Sequence, residues 1–335
     1  MLGFLGYDFQ CIFDGEPYQF WNAFMKSQKR KIRLLSRLRP PQLELLAAIE
    51  RTDTLSAAAR EVNLTQPAAS RLLRNLASDL DIELFERVGR TLKPTAAGRT
   101  LVQRAAGLIA EIDRTQQELE AIDGGLTGTA SIGTGVSSCY VVVPRALNLL
   151  LTDAPRINVV VREGPMDELL GRLHTGQIDI LVGRFSSQIQ HPEISTQELY
   201  SPAVRAVFGP DHPLARKRTV TWNDLMDHPW ILPESGTAMR AAAEELFRKQ
   251  RRKPERCLVE SSSIQANVAL MNGSNLVWML SADVADYFFK VGLLRIPNVP
   301  PLPAPGAFVM AHLRGRSLSP AARRLSACLV KAARL

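Results

Sequence analysis

Four side chains able to hydrogen-bond recur at helical spacing near one point of the chain: Gln66, Ser70, Arg71 and Arg74. Residues three and four apart share a helix face, so the four line one side of a helix. Glutamine can pair with both edge atoms of adenine and arginine with those of guanine. Each good bidentate contact is worth roughly 1–3 kcal/mol of discrimination. The chemistry on offer is therefore the reading of duplex DNA, with Gln66 and Ser70 as base readers. Arg71 and Arg74 are left open between base contacts and phosphate contacts that only set register. Thr65 can bond either.

The elements that must hold this face follow from the surrounding residues. Leu43, Leu46, Ala47 and Ile49 give a first amphipathic helix with Pro41 in its first turn. Thr54 or Ser56 can cap a second, and Ala57–Ala59 permit close helix approach. Asn63 supplies the turn. Thr65 is the expected N-cap of the third helix, and Pro67 is tolerated in its first turn. Ala69, Leu72, Leu73, Leu76 and Leu80 turn the opposite side of that helix to a core. Residues 83–87 and 91–93 then read as two short strands around Val88–Gly89–Arg90, a β-wing with arginine at its tip suited to a minor groove. The DNA-facing set is Ser56, Thr65, Gln66, Pro67, Ser70, Arg71 and Arg74, with Arg87, Arg90 and Lys93 from the wing.

Charge supports a polyanionic partner. Of the 41 Lys and Arg and 33 Asp and Glu, 16 and 8 lie between Lys26 and Arg104, so that segment is +8 and the remainder neutral. An excess confined to one module is an electrostatic footprint rather than a solubility device. The first 36 residues hold Phe4, Tyr7, Phe9, Phe13, Tyr18, Phe20, Trp21 and Phe24 with no clean period, then a basic cluster. They read as a variable extension, with Met25 as an alternative start. The four cysteines, Cys11, Cys139, Cys257 and Cys328, show no metal-ligand spacing and fit a reduced, cytoplasmic protein. Cys139 reads as a small buried filler. Neither a membrane span nor a signal peptide is expected.

From Thr95 to about Ile122 the residues Leu101, Ala105, Leu108, Ile112, Thr115, Leu119 and Ile122 alternate steps of four and three, the seam of a coiled-coil dimer. Gly124, Gly125 and Gly128 follow as a hinge. Beyond Thr129, strands are expected near residues 130–133, 157–162, 178–183, 204–208, 230–232, 257–260, 276–280 and 308–312. Helices are expected to start near Ser138, Met166, Thr237, Ile264, Ala282 and Ser319. This alternation predicts α/β architecture with parallel sheets, and two such lobes with a cleft between them suit a small ligand. Three strand-to-helix junctions are candidate anion sites: Thr134 with Ser137 and Ser138, Gly236 with Thr237, and Ser262 with Ser263. Plain N-capping is the alternative for each serine or threonine. Arg184 follows an apolar strand and can supply a counter-charge, and Met166 lining or core.

Enzyme readings find little support. Gly133–Thr134–Gly135 follows a strand without completing GxGxxG, the five histidines form no HExxH, and Ser137 and Ser138 lack GxSxG. No catalytic residue, metal ligand or cofactor is expected. A solute-binding protein is opposed by the basic N-terminal module.

The motifs SAAAREVNLTQPAASRLLRNL (56–76), LFERVGR (84–90), KPTAAG (93–98) and HTGQIDILVGR (174–184) together resemble LysR-type transcriptional regulators over about residues 38–324. The resemblance implies a winged helix-turn-helix over 38–95, a dimerising linker helix over 96–124, and a two-lobed effector domain over 129–325 similar to periplasmic binding proteins. It also implies promoter DNA and a small-molecule effector as partners, and assembly into homotetramers through linker-helix homodimers. By position, Thr65, Gln66, Pro67, Ser70, Arg71 and Arg74 match the family's recognition helix, and Arg87, Arg90 and Lys93 its wing.

Overall fold

The computed structural model describes residues 38–52, 54–88, 91–124, 127–185, 192–254 and 256–335. The N-terminal extension with Met25, the wing-tip Arg90 and the hinge residue Gly125 lie outside them. Contacts divide the chain into two compact units between Ile109 and Ala110, inside one long helix.

Local capping fixes the helices of the first unit. Helix α1 (Pro40–Arg51) begins with proline, whose missing N–H is no loss at a helix start. Helix α2 (Leu55–Glu61) is capped by Thr54, not Ser56: Thr54 Oγ1 accepts from Ala57 N at 3.2 Å. Asn63 takes φ +57°, a left-handed value that asparagine tolerates, and turns the chain into α3 (Gln66–Leu80). Thr65 Oγ1 caps α3 by accepting from Ala68 N at 3.4 Å. Ala58, Ala59, Ala69, Leu73 and Leu76 are buried together, small residues letting three helices close on one core.

Strands β1 (Phe85–Val88) and β2 (Thr91–Pro94) pair antiparallel with Glu86 opposite Lys93. Thr95 ties this wing to helix α4 (Ala96–Gly124): its hydroxyl donates to Glu83 O at 2.8 Å and accepts from Gly98 N at 3.1 Å. A Cβ at Gly98 would stand 1.8 Å from the Leu84 carbonyl oxygen, so only glycine fits there.

Along α4 the seven expected seam positions separate. Ala105 is buried in the first core and Leu101 packs against it. Leu108, Ile112 and Leu119 are 50%, 57% and 62% exposed in the single chain, with Thr115 exposed between them, a mainly apolar stripe that no described residue covers. The side chain of Ile122 is outside the described residues.

The second unit holds two sheets. The first has strand order β4-β3-β5-β11-β6, built from β3 (Gly128–Thr134), β4 (Ile157–Glu163), β5 (Ile180–Gly183), β6 (Ile194–Tyr200) and β11 (Phe308–Leu313). Helices α5 (Val142–Asp153) and α11 (Pro320–Ala332) cover one face, and α6 (Met166–His174) the other. Burial on both faces explains the unbroken apolar run Ile180–Gly183. The second sheet runs β7-β10-β8-β9, from β7 (Val204–Phe208), β8 (Trp230–Leu232), β9 (Cys257–Glu260) and β10 (Val277–Ser281). Helices α7 (Trp222–Met226), α8 (Ala238–Gln250), α9 (Ile264–Met271) and α10 (Ala282–Lys290) complete this lobe.

Neither sheet is purely parallel, contrary to expectation. β11 lies antiparallel between β5 and β6, and β7 antiparallel beside β10. The chain crosses from one lobe to the other after β6 and returns before β11, so each lobe takes one strand in the reverse direction. The helix expected near Ser138 begins only at Val142, after a 3₁₀ turn over Val136–Cys139.

Candidate nucleic-acid interface and interlobe site

On α3 the side opposite the core carries the predicted readers. Thr65, Gln66, Pro67, Arg71 and Arg74 are exposed and Ser70 half-buried. Arg87 and Lys93 are exposed on the wing, and Ser56 on α2. A groove of about 760 Å³ separates recognition helix and wing, lined by Ser56, Gln66, Ser70, Arg74 and Arg87 among others. Its donors face solvent rather than one another, which leaves them able to bond an incoming backbone or base edge.

At the three predicted strand-to-helix junctions the residues divide by role. Thr134 and Ser138 are fully buried. Ser138 Oγ donates to Val182 O on β5 at 3.4 Å and Thr134 Oγ1 to Gly135 O, at the start of the 3₁₀ turn, at 3.2 Å, so both hydroxyls bond the backbone of their own lobe. Ser137 is half-buried in the 3₁₀ turn. Thr237 caps α8 through Arg240 N at 3.1 Å, and Ser263 caps α9 through Ala266 N at 3.3 Å. For these two the plain capping reading describes the bonds present. Gly236, at φ +82°, and Ser262 are exposed beside them. Met166 lies across the ends of β3 and β5: a Cβ on Gly183 would meet its Sδ at 2.9 Å.

Arg184 stands apart. It directly follows β5, and its guanidinium sits 4.3 Å from the centre of the Phe308 ring. Its Nη1 donates across the lobes to Met239 Sδ on α8 at 3.8 Å. Burial lowers its pKa, and the Asp283 carboxylate and Tyr200 work against that shift. Tyr200 Oη, at the end of β6, donates to Asp283 Oδ2 at 2.9 Å in the first turn of α10, a second link between lobes. Burial first, then the Asp283 charge, raises the Tyr200 phenol far above its ordinary value. No sequence pattern marks Tyr200, Asp283, Phe308 or Met239. They come from four segments whose approach depends on the two crossovers.

Cys139 is partly exposed, and burial followed by the Glu163 carboxylate pushes its thiol up to about 11. Such a thiol is almost wholly protonated near neutrality and a poor nucleophile. Among the described residues no group of three or more His, Cys, Asp or Glu is arranged to hold a metal ion.

An exposed helix-turn-helix face, a wing and a separate pair of α/β lobes define a DNA-binding regulator. Residues 41–99 match the family described as bacterial regulatory helix-turn-helix protein, lysR family, and residues 123–334 match the LysR substrate binding domain. The chain belongs to the LysR family of bacterial transcriptional regulators, proteins that are not enzymes. It is 30% identical over 297 residues to the HTH-type transcriptional regulator GbpR of Azospirillum brasilense, covering 88% of this chain and 87% of that one. A full-length OxyR variant from Pseudomonas aeruginosa superposes with TM-score 0.66 at 20% identity, over 89% of this chain and 95% of that one. CbnR, in a complex with its target DNA, superposes at 0.61 and 20% identity, over 88% and 100%. No helix among the described residues is long and apolar enough to cross a membrane.

Proposed function

We propose that this regulator acts in the cytoplasm on promoter DNA, and that a small anionic or carbohydrate-like metabolite between its lobes modulates the binding. The observation that carries the effector reading is Arg184, a half-buried cation that touches side chains of both lobes. A charged group held there responds to whatever enters the cleft and to how the lobes stand. On the DNA side, Gln66 and Ser70 read bases, Arg71 and Arg74 bond bases or backbone, and Arg87, Arg90 and Lys93 engage the wing side. Assembly as a homodimer, and then a homotetramer, is supported by the uncovered stripe Leu108, Ile112 and Leu119.

The test uses a duplex selected by the full-length protein from a random pool. Its dissociation constant should rise steeply with salt, because phosphate contacts release counterions. Binding to the selected duplex no tighter than to random duplex would refute the reading. Gln66→Ala should flatten base preference at one position by roughly 1–3 kcal/mol with the fold intact. Unchanged preference removes Gln66 from the base readers. A metabolite that alters duplex affinity should lose that effect when Arg184 is changed.

A further inference from the structure

We propose that the interlobe site is built for a small monocarboxylate that also carries a hydroxyl or amino donor. Arg184 grips the carboxylate and Asp283 receives the donor. This rests on the reading that the effector binds between the lobes.

The first observation is an unfilled fork. Nε and Nη2 of Arg184 are both buried and have no acceptor among the described residues, while Nη1 is taken by Met239 Sδ. Nε–H and Nη2–H lie on one edge of the guanidinium and point the same way. That edge matches the two oxygens of a carboxylate. Leaving charged donors buried and unbonded is costly, and folded proteins keep few such groups without a reason. The Phe308 ring holds the guanidinium plane at 4.3 Å, which limits how far the edge can swing.

The second observation is an unfilled acceptor nearby. Asp283 Oδ1 is buried with no donor among the described residues, although Oδ2 accepts from Tyr200. The Tyr200 ring stacks on Phe308 at 4.9 Å, the same ring that carries Arg184. Asp283 is close enough for its charge to act on the guanidinium. One aromatic platform therefore gathers a cation that lacks an acceptor and an anion that lacks a donor.

Ligand classes divide against this pair. A plain carboxylate fills the fork but leaves Asp283 unserved, its charge repelling the newcomer. A second carboxylate or a phosphate makes that repulsion worse. A neutral polyol gives Asp283 a hydroxyl and leaves the fork with weak acceptors. A hydroxy acid or amino acid completes both. The bonding atoms of the protein are already out of water, so binding does not have to strip them again. Met239 Sδ holds Nη1, outside the fork, so the Nε–Nη2 edge stays available to a carboxylate while the guanidinium remains anchored to the second lobe.

The experiment measures melting temperature and calorimetric affinity of the full-length protein against matched compounds. The sets are glycerate, glycerol and propionate; serine and propionate; gluconate, glucose and hexanoate; 4-hydroxybenzoate, phenol and benzoate. Malonate, succinate and inorganic phosphate are added. In at least one set the member with both groups should bind tenfold or more tighter than members with one. No shift from any hydroxy or amino acid overturns the proposal, as does tightest binding by a neutral compound, a dicarboxylate or phosphate. With the bound compound, Arg184→Lys should weaken binding at least tenfold, and Asp283→Asn should shrink the preference over the deoxy partner. Ser262→Trp, at the exposed β9-to-α9 junction that the effector reading assigns to the interlobe site, separates the two readings. Binding lost in Ser262→Trp and unchanged in Arg184→Lys overturns the fork alone. Binding unchanged in both overturns the interlobe site with it.

Discussion

The strand Ile180–Gly183 has a charged residue at each end, and the two ends are finished differently. At its start, Asp179 accepts from Ser131 N at 2.8 Å and Ser131 Oγ at 2.6 Å through Oδ2, and from Arg114 Nε at 3.3 Å through Oδ1. Arg114, on α4, also donates to Glu111 Oε2 at 2.9 Å. The Arg114 and Asp179 side chains are only 7% and 10% exposed. At its other end stands Arg184, half-buried as a residue, with Nε and Nη2 buried and bonded to none of the described residues. Two arginines at opposite ends of one strand, Arg114 from the linker helix and Arg184 from the lobe itself, thus differ in completion. The completed network fastens the linker helix to the sheet. The incomplete one faces the second lobe, where a ligand can finish it. A buried charge whose partners are all supplied by the fold speaks for architecture, and one whose partners are missing speaks for binding.

The largest effect that tests this contrast lies at the finished end. Asp179→Ala removes the carboxylate that Arg114 and Ser131 share and leaves both with buried donors. Breaking a buried pair in this way costs about 3–5 kcal/mol. Urea denaturation of the full-length protein should show the loss in its effector-unit transition. Asp179→Asn should lose less, because the amide oxygen still accepts from Ser131 N. A loss under about 1 kcal/mol in Asp179→Ala would break the contrast, since an unbonded buried donor normally costs at least that much.

The unfinished end should behave oppositely. Arg184→Met replaces a guanidinium with unserved donors by an unbranched apolar chain. It gives up the Phe308 contact, worth about 0.5–2 kcal/mol, and removes an unserved charge that costs more. The expected outcome is a stability equal to wild type or higher by about 1 kcal/mol, together with loss of any ligand-induced rise in melting temperature. Such a trade of function against stability is common at binding sites. A destabilisation of about 2 kcal/mol or more, the scale of a lost charged hydrogen bond, would make Arg184 a structural residue like Arg114. The two ends of the strand would then teach the same thing.

The contrast also marks where sequence patterns carry information. The recognition helix is legible because its sides differ in kind: Leu73 and Leu76 lie on the core side and Gln66, Arg71 and Arg74 on the other, behind the capping Thr65. Strands buried on both faces are legible as apolar runs. Ile194–Tyr200 is not, because it is the edge strand of its sheet and its exposed Thr196, Gln197 and Glu198 break any apolar run. Arg184 is visible because it adjoins such a run. Its companions Tyr200, Asp283 and Phe308 stand far from it in sequence and meet only where the chain crosses between lobes. No spacing rule reaches that far. The serines and threonines of the three junctions are visible in the sequence, but their division between helix caps and other backbone bonds depends on burial.

A smaller effect sharpens the interlobe side. Tyr200→Phe deletes the hydroxyl that, among the described residues, serves Asp283, and keeps the ring on Phe308. Asp283 is then left with two oxygens and no donor, at a cost of about 1 kcal/mol. The same change should make the site more dependent on a ligand donor, because Asp283 Oδ2 joins Oδ1 in lacking one. The preference for a hydroxy acid over its deoxy partner should therefore widen in Tyr200→Phe and narrow in Asp283→Asn. In the double variant the two effects should fail to add, since both act through one carboxylate. Additive changes would mean that Tyr200 and Asp283 influence the ligand separately, and that the bond between them only fastens the lobes, as Arg114 and Asp179 fasten the linker helix.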